Sequence, residues 1–162
     1  MAIAILAWLM AIPLLGMVTG LRTMTPIAVL CWFAYLGDLP VEGTWASWTA
    51  RLVSAVVFSV LAAGEFVGDK LPRTPNRVSP GPLVARLAFG GLVGAIVATA
   101  LRGSAVEGII LGVSSALIGA FGGYLIRREM VQWLECKDWH VAMAEDLLAI
   151  GCAIFAMGVV TG

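Results

Sequence analysis

LVARLAFGGLVGAIVATALR at residues 83–102 and VEGIILGVSSALIGAFGGYLI at residues 106–126 set the fold class. Each run is about as long as the roughly 20 apolar residues a helix needs to cross a hydrocarbon core. Outward from this pair, apolar segments recur at 2–20, 25–37, 50–68 and 140–161. Across the 162 residues, 60% are hydrophobic and 12% charged, against about 25% charged in a soluble domain. So few charges cannot cover a water-exposed surface. The expected architecture is all-α: a polytopic membrane bundle of about six segments forming a single transmembrane domain over 1–162. Segment 25–37 is short, so it reads either as a stubby helix or as one arm of a re-entrant hairpin. The start, MAIAILAWLMAIPLLGMVTG, carries no Lys or Arg before Arg22. It therefore reads as a retained first span and not as a cleavable signal.

Charge placement orients such a bundle. If the connections alternate between faces, Arg22, Lys70, Arg73, Arg77, Arg86, Arg127, Arg128 and Lys137 share one side, and Arg51 and Arg102 the other. Basic residues near span ends stay cytoplasmic. The loop 69–82 is thus expected inside and both termini outside. Trp32, Tyr35, Trp45 and Trp48 fit the outer interface, while Trp133 and Trp139 flank the last inner connection, where 127–138 reads as an interfacial helix or a solvated loop. A net charge of zero gives no pull toward nucleic acid. Cys31, Cys136 and Cys152 form neither a disulfide framework nor a metal cluster, and nothing in the pattern calls for a cofactor.

Gly-xxx-Gly pairs at Gly16/Gly20, Gly64/Gly68, Gly90/Gly94, Gly108/Gly112, Gly119/Gly123 and Gly158/Gly162 predict close helix approach. They leave packing surface for a homo-oligomer. Halves 1–68 and 83–162, joined by the Pro-rich loop, raise an inverted repeat, because Thr19-Gly20-Leu21-Arg22 resembles Thr99-Ala100-Leu101-Arg102.

The chemistry-bearing residues gather on the inner side. Thr25-Pro26 and Ser79-Pro80 read as N-cap and first helical position of two helices whose N-termini open there. Lys70, Arg73, Arg77 and Arg86 nearby make an anion or lipid-headgroup contact a candidate. Glu65 and Asp69 lie one helical turn apart, and Glu145 and Asp146 sit about two turns into the last segment. Carboxylates at membrane depth need a cationic partner, and Arg22 with Glu65 or Arg86 with Glu145 is the expected pairing. Pro72 and Pro75 stiffen the loop as a gate or docking surface. His140 has no Cys, Ser or second His at a catalytic spacing.

GLRTMTP (Gly20 to Pro26), GEFVGDKLPRTPNR (Gly64 to Arg77) and AEDLL (Ala144 to Leu148) resemble the recurring signatures of a bacterial multi-pass membrane family, domain of unknown function four-one-two-six. The resemblance singles out Gly20, Arg22, Pro26, Glu65, Asp69, Pro72, Pro75, Glu145 and Asp146, and implies residence in the inner membrane. It supplies no activity. The favoured function is movement of a small solute or ion. Arg22, Glu65, Asp69, Glu145 and Asp146 would bind it or relay protons. The alternatives are a non-transporting scaffold or anionic-lipid-binding protein and, third, an enzyme acting on lipid, which lacks a nucleophile–base pair.

The charge asymmetry makes a direct prediction. With Cys31, Cys136 and Cys152 removed, a cysteine replacing Thr44 should react with a membrane-impermeant maleimide on intact cells, and one replacing Asn76 should not. Labelling at 76 alone would reverse the orientation.

Overall fold

Uninterrupted apolar sequence with few breakers gives six α-helices among the described residues, and the breakers mark their ends. The computed structural model describes residues 2–69, 79–134 and 138–162, with side chains described for 8–69, 79–130 and 142–162. The helices are α1 (Ala2–Leu21), α2 (Met24–Leu36), α3 (Leu52–Gly68), α4 (Pro80–Ala100), α5 (Ala105–Leu134) and α6 (Asp138–Thr161), with a short 3-10 turn at Ser47–Ala50 before α3. Gly37 closes α2 in the left-handed conformation, φ 89°, and the N–H groups of Gly37 and Asp38 donate to the carbonyls of Ala34 and Phe33. Extended Ser79 precedes Pro80, the first residue of α4. Helices α4, α5 and α6 are long and apolar enough to cross a membrane, and α1, α2 and α3 contribute shorter apolar stretches.

Glycine determines how closely these helices approach. Helix α5 lies between α1 and α4, touching both along its length. Its Gly112 faces the carbonyl of Gly90, Gly108 that of Gly94, and Gly119 that of Met17, each so near that a methyl group on the glycine would overlap the oxygen. Gly16 and Gly20 of α1 meet Ser115, Ala116 and Ala120 of α5 in the same way. Between helices of equal apolarity to lipid, such backbone approach supplies the association energy. Helix α2 packs on α3, and α6 lies against α1 and α2 but touches α5 only sparsely. Val53, Val60, Val84, Ile110, Ile118, Leu147 and Phe155 face outward, an apolar exterior suited to lipid.

Three expectations are corrected. Gly64, Gly68 and Gly158 have open space where a Cβ would stand, so they make no close approach among the described residues. The segment from 127 does not break into a separate interfacial helix, because α5 runs through it to Leu134. The halves also pack differently: α4 and α5 lie together along their length, while their counterparts α1 and α2 touch little. Helix lengths of 20, 13 and 17 residues in the first half against 21, 30 and 24 in the second follow no common unit.

Gly94→Ala and Gly112→Ala should each destabilise the detergent-solubilised protein by about 1–3 kcal/mol through overpacking. Gly64→Ala and Gly158→Ala should leave stability unchanged or raise it, since alanine favours a helix where space allows. Denaturant titration followed by circular dichroism measures both.

Candidate functional site: a buried network of guanidinium and carboxylate groups

Between Leu21 and Met24 the chain turns from α1 into α2. Such a break leaves carbonyls at the end of one helix and N–H groups at the start of the next without intrahelical partners. Two side chains from other helices complete them. Arg86 of α4 donates from Nη1 to the carbonyls of Gly20 at 2.7 Å and Leu21 at 2.6 Å. Glu65 of α3 accepts from the N–H of Thr23 on Oε1 and of Met24 on Oε2, both at 2.8 Å. The two capping groups face each other, with Arg86 Nη2 3.8 Å from Glu65 Oε1. The N-terminus of α2 therefore already holds an anion, and it is the protein's own.

Arg22, in the turn itself, is fully buried. Its Nη1 lies 2.5 Å from Asp69 Oδ2 at the end of α3 and its Nη2 2.6 Å from Asp146 Oδ1 of α6. The ring of Phe66 lies 5.8 Å beneath the guanidinium carbon, a favourable cation–π distance. Nε of Arg22 is buried without an acceptor among the described residues, and Nη2 meets Asp146 as an ion pair without hydrogen-bond alignment. Arg127 of α5 continues the chain of charges, with Nη1 3.2 Å from Asp69 Oδ2 and 3.7 Å from Glu145 Oε2. Three guanidinium groups and four carboxylates thus converge from the α1–α2 turn and from α3, α4, α5 and α6 at one end of the bundle.

A cavity of about 230 Å³ opens beside this network, in the gap between α5 and α6. Arg127 and Glu145 are its polar groups, and Leu21, Ile126, Met130 and Leu148 line it with apolar surface. The charges are neither splayed toward the surface nor sealed in a dry core: one edge of the network meets a crevice.

Of the residues expected at the site, Arg22, Glu65, Asp69, Glu145 and Asp146 do come together, but the partners differ. Arg22 pairs with Asp69 and Asp146, whereas Glu65 faces Arg86 and Glu145 faces Arg127. Arg86 is 5% exposed and holds the end of α1, so it is not a headgroup contact. Helix α2 starts at Met24 with Thr23 as N-cap, which makes Pro26 the third helical residue and leaves the buried Thr25 hydroxyl without a partner. Gly20 serves the turn by letting α1 lie against α5. Lys70, Pro72, Arg73, Pro75 and Arg77 lie outside the described residues, as does the side chain of His140.

Arg86 and Arg127 were legible in a pattern the charge count obscures. Arg86 stands four residues before Gly90 and Arg127 four after Gly123, each extending a stripe of small residues by one helical turn. Arg128, one position off that stripe, is exposed and pairs only with Glu129 at 3.5 Å.

The sequence family described as Domain of unknown function (DUF4126) matches residues 9–159. No curated protein and no solved structure matches the chain.

Removing one member of a buried pair leaves an uncompensated charge, at a cost of about 3–5 kcal/mol. Arg22→Met should lower stability on that scale and Asp146→Asn by less, because Asp69 still pairs with Arg22, and the double variant should lose less than the sum by about 0.5–3 kcal/mol. Strict additivity in denaturant titrations would show that the pair is not coupled.

Proposed function

The chain belongs to that family, which brings no activity with it, and on its own residues we propose a membrane transporter that moves a proton, or a small cation or solute coupled to one. The four carboxylates divide by what they hold. Both oxygens of Glu65 receive backbone N–H groups, so its charge maintains the α1–α2 turn. Asp69, Glu145 and Asp146 are held by the guanidinium groups of Arg22 and Arg127 instead. Guanidinium groups stay charged at any physiological pH, and here they serve as internal counter-cations for carboxylates that take up and release protons or cations.

The observation that carries this reading is Arg127. It reaches carboxylates on two different helices at 3.2 and 3.7 Å, and it lines the cavity between α5 and α6, which otherwise touch little. Neutralising Glu145 by a proton, or occupying it with a cation, removes the attraction that draws the charged ends of α5 and α6 together. Site occupancy is thereby coupled to the width of the crevice, as an ion-coupled carrier requires. A static scaffold gives no reason for a charged crevice edge. The accompanying assignments are residence in a bacterial inner membrane, both termini outside, and assembly as a homo-oligomer.

The wild-type protein in liposomes should dissipate an imposed proton or alkali-cation gradient, read with an entrapped pH or ion indicator. Glu145→Gln and Asp69→Asn should abolish that flux with helix content and particle size preserved. Absence of flux through well-folded wild type under proton, alkali-cation, divalent-cation and anion gradients would remove the ion-coupled reading in favour of a scaffold.

A further inference from the structure

At the end of the bundle opposite the network, a second cavity of about 480 Å³ lies among the C-terminal ends of α2 and α4 and the chain following Gly37. Its volume falls within the roughly 300–1,000 Å³ typical of small-molecule sites. Ala34, Leu39, Pro40 and Ala100 contribute apolar wall, and Glu42, Thr44, Thr99 and Arg102 contribute polar side chains.

Two of those four are already engaged. The Thr44 hydroxyl donates to the carbonyl of Val41 at 2.7 Å and accepts from the N–H of Ala46 at 3.2 Å. The Thr99 hydroxyl donates to the carbonyl of Ala95 at 2.8 Å and accepts from Nε1 of Trp45 at 3.1 Å. Glu42 and Arg102 are different: both are exposed, they line one cavity with opposite charges, and among the described residues they pair neither with each other nor with any other side chain.

Arg102 also occupies a backbone position that argues for its side chain. It is the one non-glycine residue with positive φ, 57°, among the described residues. The N–H of Gly103 donates to Ala98 O at 2.7 Å and that of Arg102 to Thr99 O at 3.0 Å, which makes Arg102 the left-handed residue of a Schellman helix stop. That place favours glycine. A glycine stands immediately beside it at 103, yet arginine occupies the strained position and lines the cavity.

We propose that this cavity binds a small zwitterion of the α-amino-acid type. The planar guanidinium of Arg102 would receive the carboxylate through two parallel hydrogen bonds. Glu42 would receive the ammonium group, aided by the negative ends of the α2 and α4 dipoles, which both terminate here. A ligand with a single charge would engage one of the two residues, whereas a zwitterion engages both. The apolar wall accommodates a modest aliphatic side chain. This binding goes beyond the transport reading and does not require it, because the two sites lie at opposite ends of the bundle.

The test is isothermal titration of the full chain in detergent with glycine, serine, leucine and glutamate, and with acetate and methylammonium as single-charge controls. At least one amino acid should bind saturably, with both controls weaker by about tenfold or more. Glu42→Gln and Arg102→Gly should each weaken that binding by about tenfold, and Arg102→Gly should melt no lower than wild type, because glycine suits the backbone there. Glu145→Gln, the variant expected to abolish flux, should leave binding intact, so loss of flux at the buried network and loss of binding at this cavity are separable results. Failure of all four amino acids to bind, equal binding of acetate or methylammonium, or binding unchanged in both Glu42→Gln and Arg102→Gly would overturn the proposal.

Discussion

Two backbone carbonyls and two backbone N–H groups at the turn after α1 constrain everything around them. In water such groups would be solvated; away from water each must find a partner within the protein or cost several kcal/mol. The turn has too few residues to complete itself, so the partners are imported: a guanidinium from α4 for the carbonyls and a carboxylate from α3 for the N–H groups. Because the imported groups carry opposite charge, they also partly neutralise each other. The capping problem of one helix pair thus fixes where two other helices stand along the bundle axis.

Arg86 can reach the end of α1 only because α1 and α4 both lie close against α5, and the glycines provide that closeness. Replacing the small faces by ordinary apolar side chains would move the helices apart by more than a hydrogen bond tolerates. The short α2 adds a further constraint. Its 13 residues rise about 20 Å, well short of a hydrocarbon core of about 30 Å. In a bilayer, with Trp32 and Tyr35 near one interface, the turn at Arg22 would stop below the opposite headgroups. A lone arginine there is costly. Asp69, Asp146 and the face of Phe66 supply the compensation in place, without the side chain reaching for water.

The sequence revealed the helices well and the pairings poorly, for different physical reasons. Apolar run length and the breakers at Gly37 and Ser79-Pro80 are local properties, so the six segments were readable, with their ends within a few residues except that of α5, which continues past the apolar run to Leu134. That Arg22, Glu65, Asp69, Glu145 and Asp146 would meet followed from the expense of charge at membrane depth. Which guanidinium meets which carboxylate depends on helix rotation, and a rotation of one residue, about 100°, exchanges Arg127 for Arg128. The start of α2 was misread because Thr25-Pro26 is a sound local signal, overridden by a carboxylate from 41 residues away in sequence. Gly64/Gly68 and Gly90/Gly94 look alike as strings, and only the second pair has a neighbouring helix of matching small residues.

The same reasoning separates the carboxylates by how freely each can change its charge. Protonating Glu65 would remove one acceptor from a cap that has no substitute, so its ionisation is tied to the fold. Asp69 receives two guanidinium groups and Asp146 faces Arg22, which itself has a second partner, so neutralising Asp146 still leaves Arg22 paired with Asp69. Glu145 stands at the cavity, 3.7 Å from an arginine that has a nearer carboxylate at 3.2 Å. It is also the carboxylate that a solute entering between α5 and α6 meets. A site that must be stable and yet exchange its occupant needs both, a fixed cap at one side and a group open to the cavity at the other. Here the division arises from where each carboxylate stands, Glu65 on the backbone cap and Glu145 at the cavity.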